Sequence, residues 1–525
     1  MSIAEGYEEL QHSLTHTLFS WRMRFRILVL LSLAALALTE PGTNHAAAAP
    51  PPVDAAEFGF SPISEPSRNV AALQKALDGG GKSVTVNQPG EYLLDARVYL
   101  DNDTKLSFGP GVILKKTGHY DFVLVNRGAL TRAWNHDISI DGLTISVNGV
   151  DQCPTKEDPL FGLRGHLTIY FARDVKVTHF KCVDVQKSQF CVHFCQFERL
   201  LLDGFEIHGD KDGVHIGAGR NFVVRNGICA TYDDGVALNA QDYPTSQPMQ
   251  GDITDGLVEN VTDLHKEKTG GNSVRLLAGA WPDWRPRIML KNGDTVRHGR
   301  NVYRVVSKDV GKGIISTEPP VHAQGAWTDQ AGLTFVHNQS DAAISATVSN
   351  VVFRRLDLRE DRPSFKTAWD FTPVNRAIHP DTPKERIPII SASIQDIKAS
   401  GSRPLVEGNA SFRLELQNVT CAGPFLAIRS SKDTECETKA TGVSLAKAPT
   451  TNPPPDIIFE GAGSLTLTLD TVKQSRDLNA LIGKTSKVRI TGSASLSTTD
   501  GLSPVKGDMI KVGNMLKVFN GQKWE

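Results

Sequence analysis

Short runs in which apolar and polar residues alternate recur along most of the chain. Ile138–Leu143, Val175–Phe180, Leu200–Phe205, Phe222–Ile228 and Gly256–Val261 come first, and Val351–Leu356, Ile390–Ile397 and Leu414–Val419 follow. Each has a period of two and ends in a polar or glycine turn, the pattern of a strand with one buried face. The steps from Phe180 to Phe205 to Ile228 are 25 and 23 residues, and Ile397 to Val419 is 22. A unit of that size cannot bury its own apolar face, so units have to stack on one another. The pattern predicts an all-β chain folded as a right-handed parallel β-helix. A β-sandwich supplies similar short strands but no reason for a nearly constant step.

The ends and one interruption modify this picture. Asn69–Asp78 has helical spacing of apolar residues and runs into Gly79-Gly80-Gly81, which predicts a helix plugging the N-terminal end of the core. Met509–Trp524 reads as a hairpin that covers the last open edge. Between Trp284 and Asn338 the repeat stops, and short strands joined by glycine and proline turns predict a small inserted β module. Its aromatics, with Trp281, Trp284, Tyr303 and Trp327 foremost, read as its own small core more readily than as a sugar-stacking surface. The expected organisation is 1–49 as a signal-peptide region, 50–282 as the first part of the solenoid, 283–338 as the module, and 339–525 as the second part with its cap.

Arg22, Arg24 and Arg26 precede the apolar run Ile27–Leu38, which leads into Ala46-Ala47-Ala48-Ala49. A basic region, a short apolar core and a small-residue exit read as a secretory signal, with Met23 a candidate start. The run is too short for a convincing membrane span. The expectation is therefore a secreted or periplasmic protein with no stable membrane span once the signal is removed. With 57 basic against 58 acidic residues there is no footprint for nucleic acid. Seven cysteines suit an exported chain without making it a disulfide scaffold. Cys421 and Cys436 are spaced to close a short loop, and Cys191-x3-Cys195 lacks the second pair that a zinc site needs. No metal or other cofactor is expected, and the sequence leaves the oligomeric state open.

The chemistry concentrates in two acidic clusters. Asp210-Lys-Asp-Gly-Val-His-Ile216 is followed by Tyr232-Asp-Asp-Gly-Val-Ala-Leu238, with Asp212 and Asp234 separated by 22 residues, as are Gly213 and Gly235. If that step is one coil, these carboxylates stack about 4.7–4.9 Å apart. Like charges that close cannot all ionise freely, so at least one carboxyl is expected to hold its proton to higher pH. A raised acid beside an ionised carboxylate is the equipment for glycoside hydrolysis. The same register stacks His193 on His215, puts Arg275 in the following coil beyond Ala237, and turns Val192, Val214, Val236 and Val274 inward. His193, His215 and Arg275, with Asn239 and Asp242 after the second motif, are the expected substrate-binding residues.

These motifs carry a resemblance. Ala71–Asp78 through Phe108-Gly-Pro-Gly111 looks like the start of many pectin-degrading β-helix proteins. The first acidic motif resembles the Asn-Thr-Asp-Gly-x-Asp motif of polygalacturonase-like glycoside hydrolases (family 28), and the second resembles their Gly-Asp-Asp-Cys-Val-Ala-Ile. The resemblance spans roughly 65–280 and 340–500. It implies that Asp212 and Asp234 activate water and that Asp233 protonates the leaving oxygen, by an inverting mechanism on a polysaccharide or oligosaccharide. The chain departs from the family pattern at three places: no Gly-His-Gly follows Asp234, His215 replaces the second Asp of the first motif, and Leu277 replaces the Lys of Arg-Ile-Lys. The lost lysine points away from a galacturonate at the cleaved position and toward a different glycan. Two rival readings use the same scaffold. A lyase would take its base from Lys211, His215 or Arg275, and a non-catalytic glycan-binding, tailspike-like protein would use the module.

Overall fold

The computed structural model describes residues 51–525 except 81, 308–312, 370–386, 432, 446–453, 475–476 and 514. The expected signal region and the Gly311-Lys312 part of the module lie outside the described residues. The chain is a right-handed parallel β-helix: thirty of its strands join one continuous sheet whose pairings are parallel.

Register follows the repeated phrases. Val175, Leu200, Phe222, Gly256, Val351, Ala392 and Leu414 are successive partners down one face. On a second face Leu167, Val192, Val214, Val236, Val274, Phe365, Val406 and Leu426 stack, all of them buried. Burying each such side chain stabilises the fold by roughly 1.5–3 kcal/mol, and the column has no edge to lose it from except its ends. His179, Gly204, Asn226 and Asn260 occupy equivalent corners, each with positive φ. Gly, Asn and, less strongly, His tolerate that left-handed conformation, which explains why the phrases end as they do.

One step differs from expectation. Phe205 pairs with Gly227, not with Ile228, which pairs with Glu206 and stands 39% exposed. The reason is volume: a Cβ on Gly227 would lie 1.9 Å from the Phe205 ring. The glycine makes room for the aromatic and carries the register, so the apolar Ile228 faces outward.

The N-terminal helix runs Pro66–Leu77, three residues ahead of the periodic stretch, and buries Ala72, Leu73, Ala76 and Leu77 against the first coils. At the other end Met509–Val512 and Met515–Val518 form the expected antiparallel hairpin. The interruption is also antiparallel: Thr295–His298, Asn301–Val306, Ala326–Thr328 and Thr334–Gln339 make a separate four-stranded sheet. Tyr303 and Phe335 are buried in its own core with Trp284 and Trp327 packed against them, while Trp281 packs with Val302 and Ala342. All seven cysteines are free, so Cys421 and Cys436 do not close the loop their spacing suggested.

Candidate active site

Both acidic motifs are turns that lead into short strands, Val214–Ile216 and Val236–Asn239. A backbone ladder ties turn to turn: Gly213 N–H donates to Asp234 O at 2.9 Å, Val214 N–H to Gly235 O at 3.0 Å, and Gly235 N–H to Asn272 O at 2.9 Å. The glycines permit this closeness, since a Cβ on Gly213 would lie 2.7 Å from the Gly235 carbonyl oxygen. Asp212 is thereby fixed directly over Asp234, as the 22-residue step predicts.

Asp212, Asp233 and Asp234 each present a carboxylate oxygen within 4.8 Å of the other two. That is tighter than the ~6.5–9.5 Å between acid and base expected of an inverting glycosidase. Two cations stand among them. Lys211 Nζ bonds Asp233 and lies 3.7 Å from Asp212, and Arg275 Nη1 lies 3.6 Å from Asp234. Asn272 donates to Asp234 Oδ1 through both its backbone N–H (2.9 Å) and its side chain (2.8 Å). The set has a rim and a floor: the side chains of Asp233, Lys211 and Arg275 are 28%, 21% and 25% exposed, those of Asp212 and Asp234 only 4% and 1%.

Burial and the charge of Asp233 push Asp212 up to about 7, against the pull of Lys211 and Arg275. Burial and the neighbouring Asp212 push Asp234 up to about 6. Burial acts on Asp233 as well, but Lys211 and then Arg275 outweigh it and hold this carboxyl below its ordinary value. Lys211 is itself held above the usual lysine range, because Asp212 and Asp233 together overcome its burial. In the free protein, then, the proton rests on the floor pair and Asp233 is ionised. The resemblance assigns Asp233 the acid role, so that assignment requires a proton transfer within the set.

The expected column is in register: His193 pairs with His215, His215 with Ala237, and Ala237 with Arg275. The outward face there is not open, however. His193 and His215 are fully buried, as are Asn239 and Asp242. His215 Nδ1 sits 2.8 Å from Asp212, burial lowers the ring to about 3, and its Nε2 lies 3.9 Å from Asp242. Asn239 donates to Asp242 at 2.7 Å, and His193 Nδ1 accepts the Arg164 backbone N–H at 3.2 Å. These four residues shape the floor; whatever enters from solvent meets Arg275, Lys211 and Asp233 first. The inserted module fastens the turns beside them: Asn338 bonds the Pro248 carbonyl, Gln339 donates to Gln250 O at 2.9 Å, and Lys156 donates to Asn292 O at 2.8 Å.

Several contributors escape motif reading. Phe190 stacks face to face on His215, 3.9 Å between centroids. Its signal was available, because it sits 22 residues before Asp212. Lys211 lies inside the first motif, where the sequence offers it only as a base for a lyase, whereas in the structure it holds Asp233. Arg362 had no such signal. It is buried and makes a two-bond ion pair with Asp263 (2.6 and 3.0 Å), donates to Thr231 O at 3.0 Å and bonds the Asp233 carbonyl. Asp263 in turn accepts from Ser273 Oγ at 2.5 Å. Arg362 comes from beyond the module and holds the turn that carries Asp233 and Asp234.

No protein-family model matches the chain, and no curated protein matches it. Solved structures do match. The pre-mature bacteriophage phi29 gene product 12 is 10% identical with a TM-score of 0.50, over 90% of this chain and 58% of that one. The Yersinia enterocolitica family 28 exopolygalacturonase is 11% identical with a TM-score of 0.44, over 84% and 78%. PfbA, a surface adhesin of Streptococcus pneumoniae, is 12% identical with a TM-score of 0.40, over 90% and 98%. At these identities the likeness is one of fold. That fold is the parallel β-helix described above. Among the described residues no helix is long and apolar enough to cross a membrane.

Proposed function

We propose that this protein is an exported glycoside hydrolase that cleaves an O-glycosidic bond of a polysaccharide or oligosaccharide with Asp212, Asp233 and Asp234. The observation that carries the reading is the division of protonation within one set: two carboxyls raised to about 7 and 6, and a third kept ionised, all within 4.8 Å. Carboxyls whose environments push them apart supply an acid and a base at one pH.

The glycan meets the rim and displaces Lys211 from Asp233. A proton of the floor pair passes to Asp233, which gives it to the leaving oxygen. The floor pair, now ionised, takes the proton of the water that attacks the anomeric carbon. With so little space between the carboxylates, that water is held on the open side of the set, and the product anomer is inverted. The lyase reading is less well supported. Lys211 is held in its charged form, which cannot accept a proton, and His215 is neutral but covered.

The test is turnover on a panel of plant and bacterial polysaccharides, read by reducing ends and 235-nm absorbance together, with Asp233→Asn in parallel. Reducing ends without absorbance, lost in the variant, are expected. Absorbance from unsaturated ends, or full turnover by Asp233→Asn, would overturn the proposal. Proton NMR of the first product reads the anomer, and a retained anomer would mean that a carboxylate attacks directly.

A further inference from the structure

The last hairpin has two unlike faces. Met509 pairs with Val518, Ile510 with Lys517 and Lys511 with Leu516. Ile510 is 1% exposed and belongs to the solenoid core. Alternation turns Met509, Lys511, Leu516 and Val518 the other way, off the core. On that side Met509, Leu516 and Val518 are 54%, 64% and 40% exposed. Val505, in the turn that enters the hairpin, and Met515, in the turn that closes it, are exposed as well. Apolar residues scattered singly over a surface are ordinary, but five on one hairpin and its turns mark an interaction surface.

The same end of the molecule is positive. The chain as a whole is balanced, with 57 basic and 58 acidic residues, but residues 484–525 hold seven basic and three acidic ones. Of those three acids, Asp508 is buried and accepts from Arg489 Nε at 2.8 Å, and Glu525 lies 3.9 Å from Lys523. Lys511 stands on the apolar face itself, and Lys506 is exposed in the turn beside Val505. Apolar surface fringed by lysine selects its occupant. A second copy of the chain would set lysine against lysine. A polyanion in solution would match the charge and leave Met509, Leu516 and Val518 in water. An anionic lipid surface supplies both partners, phosphate at the headgroups and an apolar layer just beneath them.

We propose that the outward face of this hairpin docks the protein on an anionic phospholipid membrane, which it touches without spanning. Met509, Leu516 and Val518 enter the headgroup boundary, and Lys506 and Lys511 meet the phosphates. Val274, Phe365, Val406, Leu426, Ile457 and Ala480 are successive partners between the acidic set and this end. Five steps of about 4.8 Å put the acidic set roughly 24 Å from the last of these coils, clear of the lipid.

Residues 52–525 form a compact unit of their own, and every buried residue of the core cluster lies between Ala55 and Ile510. The chain from Pro52 onward therefore serves for the test, free of the apolar run Ile27–Leu38, which would bind lipid by itself. Its co-sedimentation is measured with vesicles of equal parts phosphatidylglycerol and phosphatidylcholine, and with phosphatidylcholine alone. Wild type should partition onto the anionic vesicles about tenfold or more above the neutral ones, and high salt should release it. Lys506→Glu with Lys511→Glu should lower the partition about tenfold or more. Met509→Ser with Leu516→Ser should lower it by a similar factor, because apolar burial supplies the other part. All four side chains are exposed, so the melting midpoints of both variants should match wild type. Absent binding, equal binding to both vesicles, or binding that ignores either pair of substitutions would overturn the proposal. So would a dimer of the wild type in sedimentation velocity that Met509→Ser with Leu516→Ser dissolves, since the face would then join two copies of the chain.

Discussion

Asp212→Asn is expected to make the protein more stable while removing its chemistry. Asp212 is held at about 7 in the fold against 3.8 for the free side chain, so the folded state favours its protonated form. A carboxyl raised on folding binds more protons in the native than in the unfolded chain. Its effect on stability is therefore neutral below the unfolded value, grows more unfavourable as pH rises from there to the folded value, and levels off above it. A shift of that size amounts to about 4 kcal/mol at pH 8 and about 1 kcal/mol at pH 4.5. Asparagine keeps the shape and can still hydrogen-bond His215, but it carries no charge to desolvate, and it relieves Asp234 of a neighbour that raises it. Urea unfolding of wild type and variant at both pH values reads the difference. The variant should gain on the order of 2–4 kcal/mol at pH 8 and much less at pH 4.5. A variant no more stable than wild type at pH 8, or equally stabilised at both pH values, would refute the claim that Asp212 is a strained, proton-holding group.

Two other perturbations follow from the same cluster. Lys211→Met removes the largest charge that keeps Asp233 ionised, so the Asp233 proton is held to higher pH and the alkaline limb of the activity profile should move upward; an unmoved or lowered limb would count against Asp233 as the donor. Arg362→Met leaves Asp263 buried and unpaired and should cost about 3–5 kcal/mol, whereas adding Asp263→Leu should recover much of it. Equal midpoints in denaturant for the single and double variants would show that the pair is not the source of the loss.

Much of the fold was legible in the chain because a parallel β-helix is built from a local rule. Two-residue alternation fixes which side chains turn inward, and the coil step fixes which turn lies over which. Those two rules place Val192 under Val214 and Val236, and Asp212 over Asp234, without further information. They also placed His193, His215 and Arg275 in one column. The 22-residue step also holds at Phe205, whose partner is Gly227, so the 23-residue spacing to Ile228 is not a coil step and that apolar side chain faces outward.

Tertiary structure alone decided the state of the site. Alternation sends His193 and His215 outward, but turns whose length the repeat does not constrain cover them, and the module across the gap fastens those turns. Arg362 is 99 residues from Asp263 and 131 from Thr231, so no spacing announces that it holds the turn that carries Asp233 and Asp234. The protonation of the three aspartates is likewise collective. Burial raises all three, and only the positions of Lys211 and Arg275 determine that Asp233 is the one left ionised. The sequence by itself determined which residues meet, because stacking is periodic; which of them see water and which carry a proton was decided by the folded structure, because solvation and charge depend on everything nearby in space.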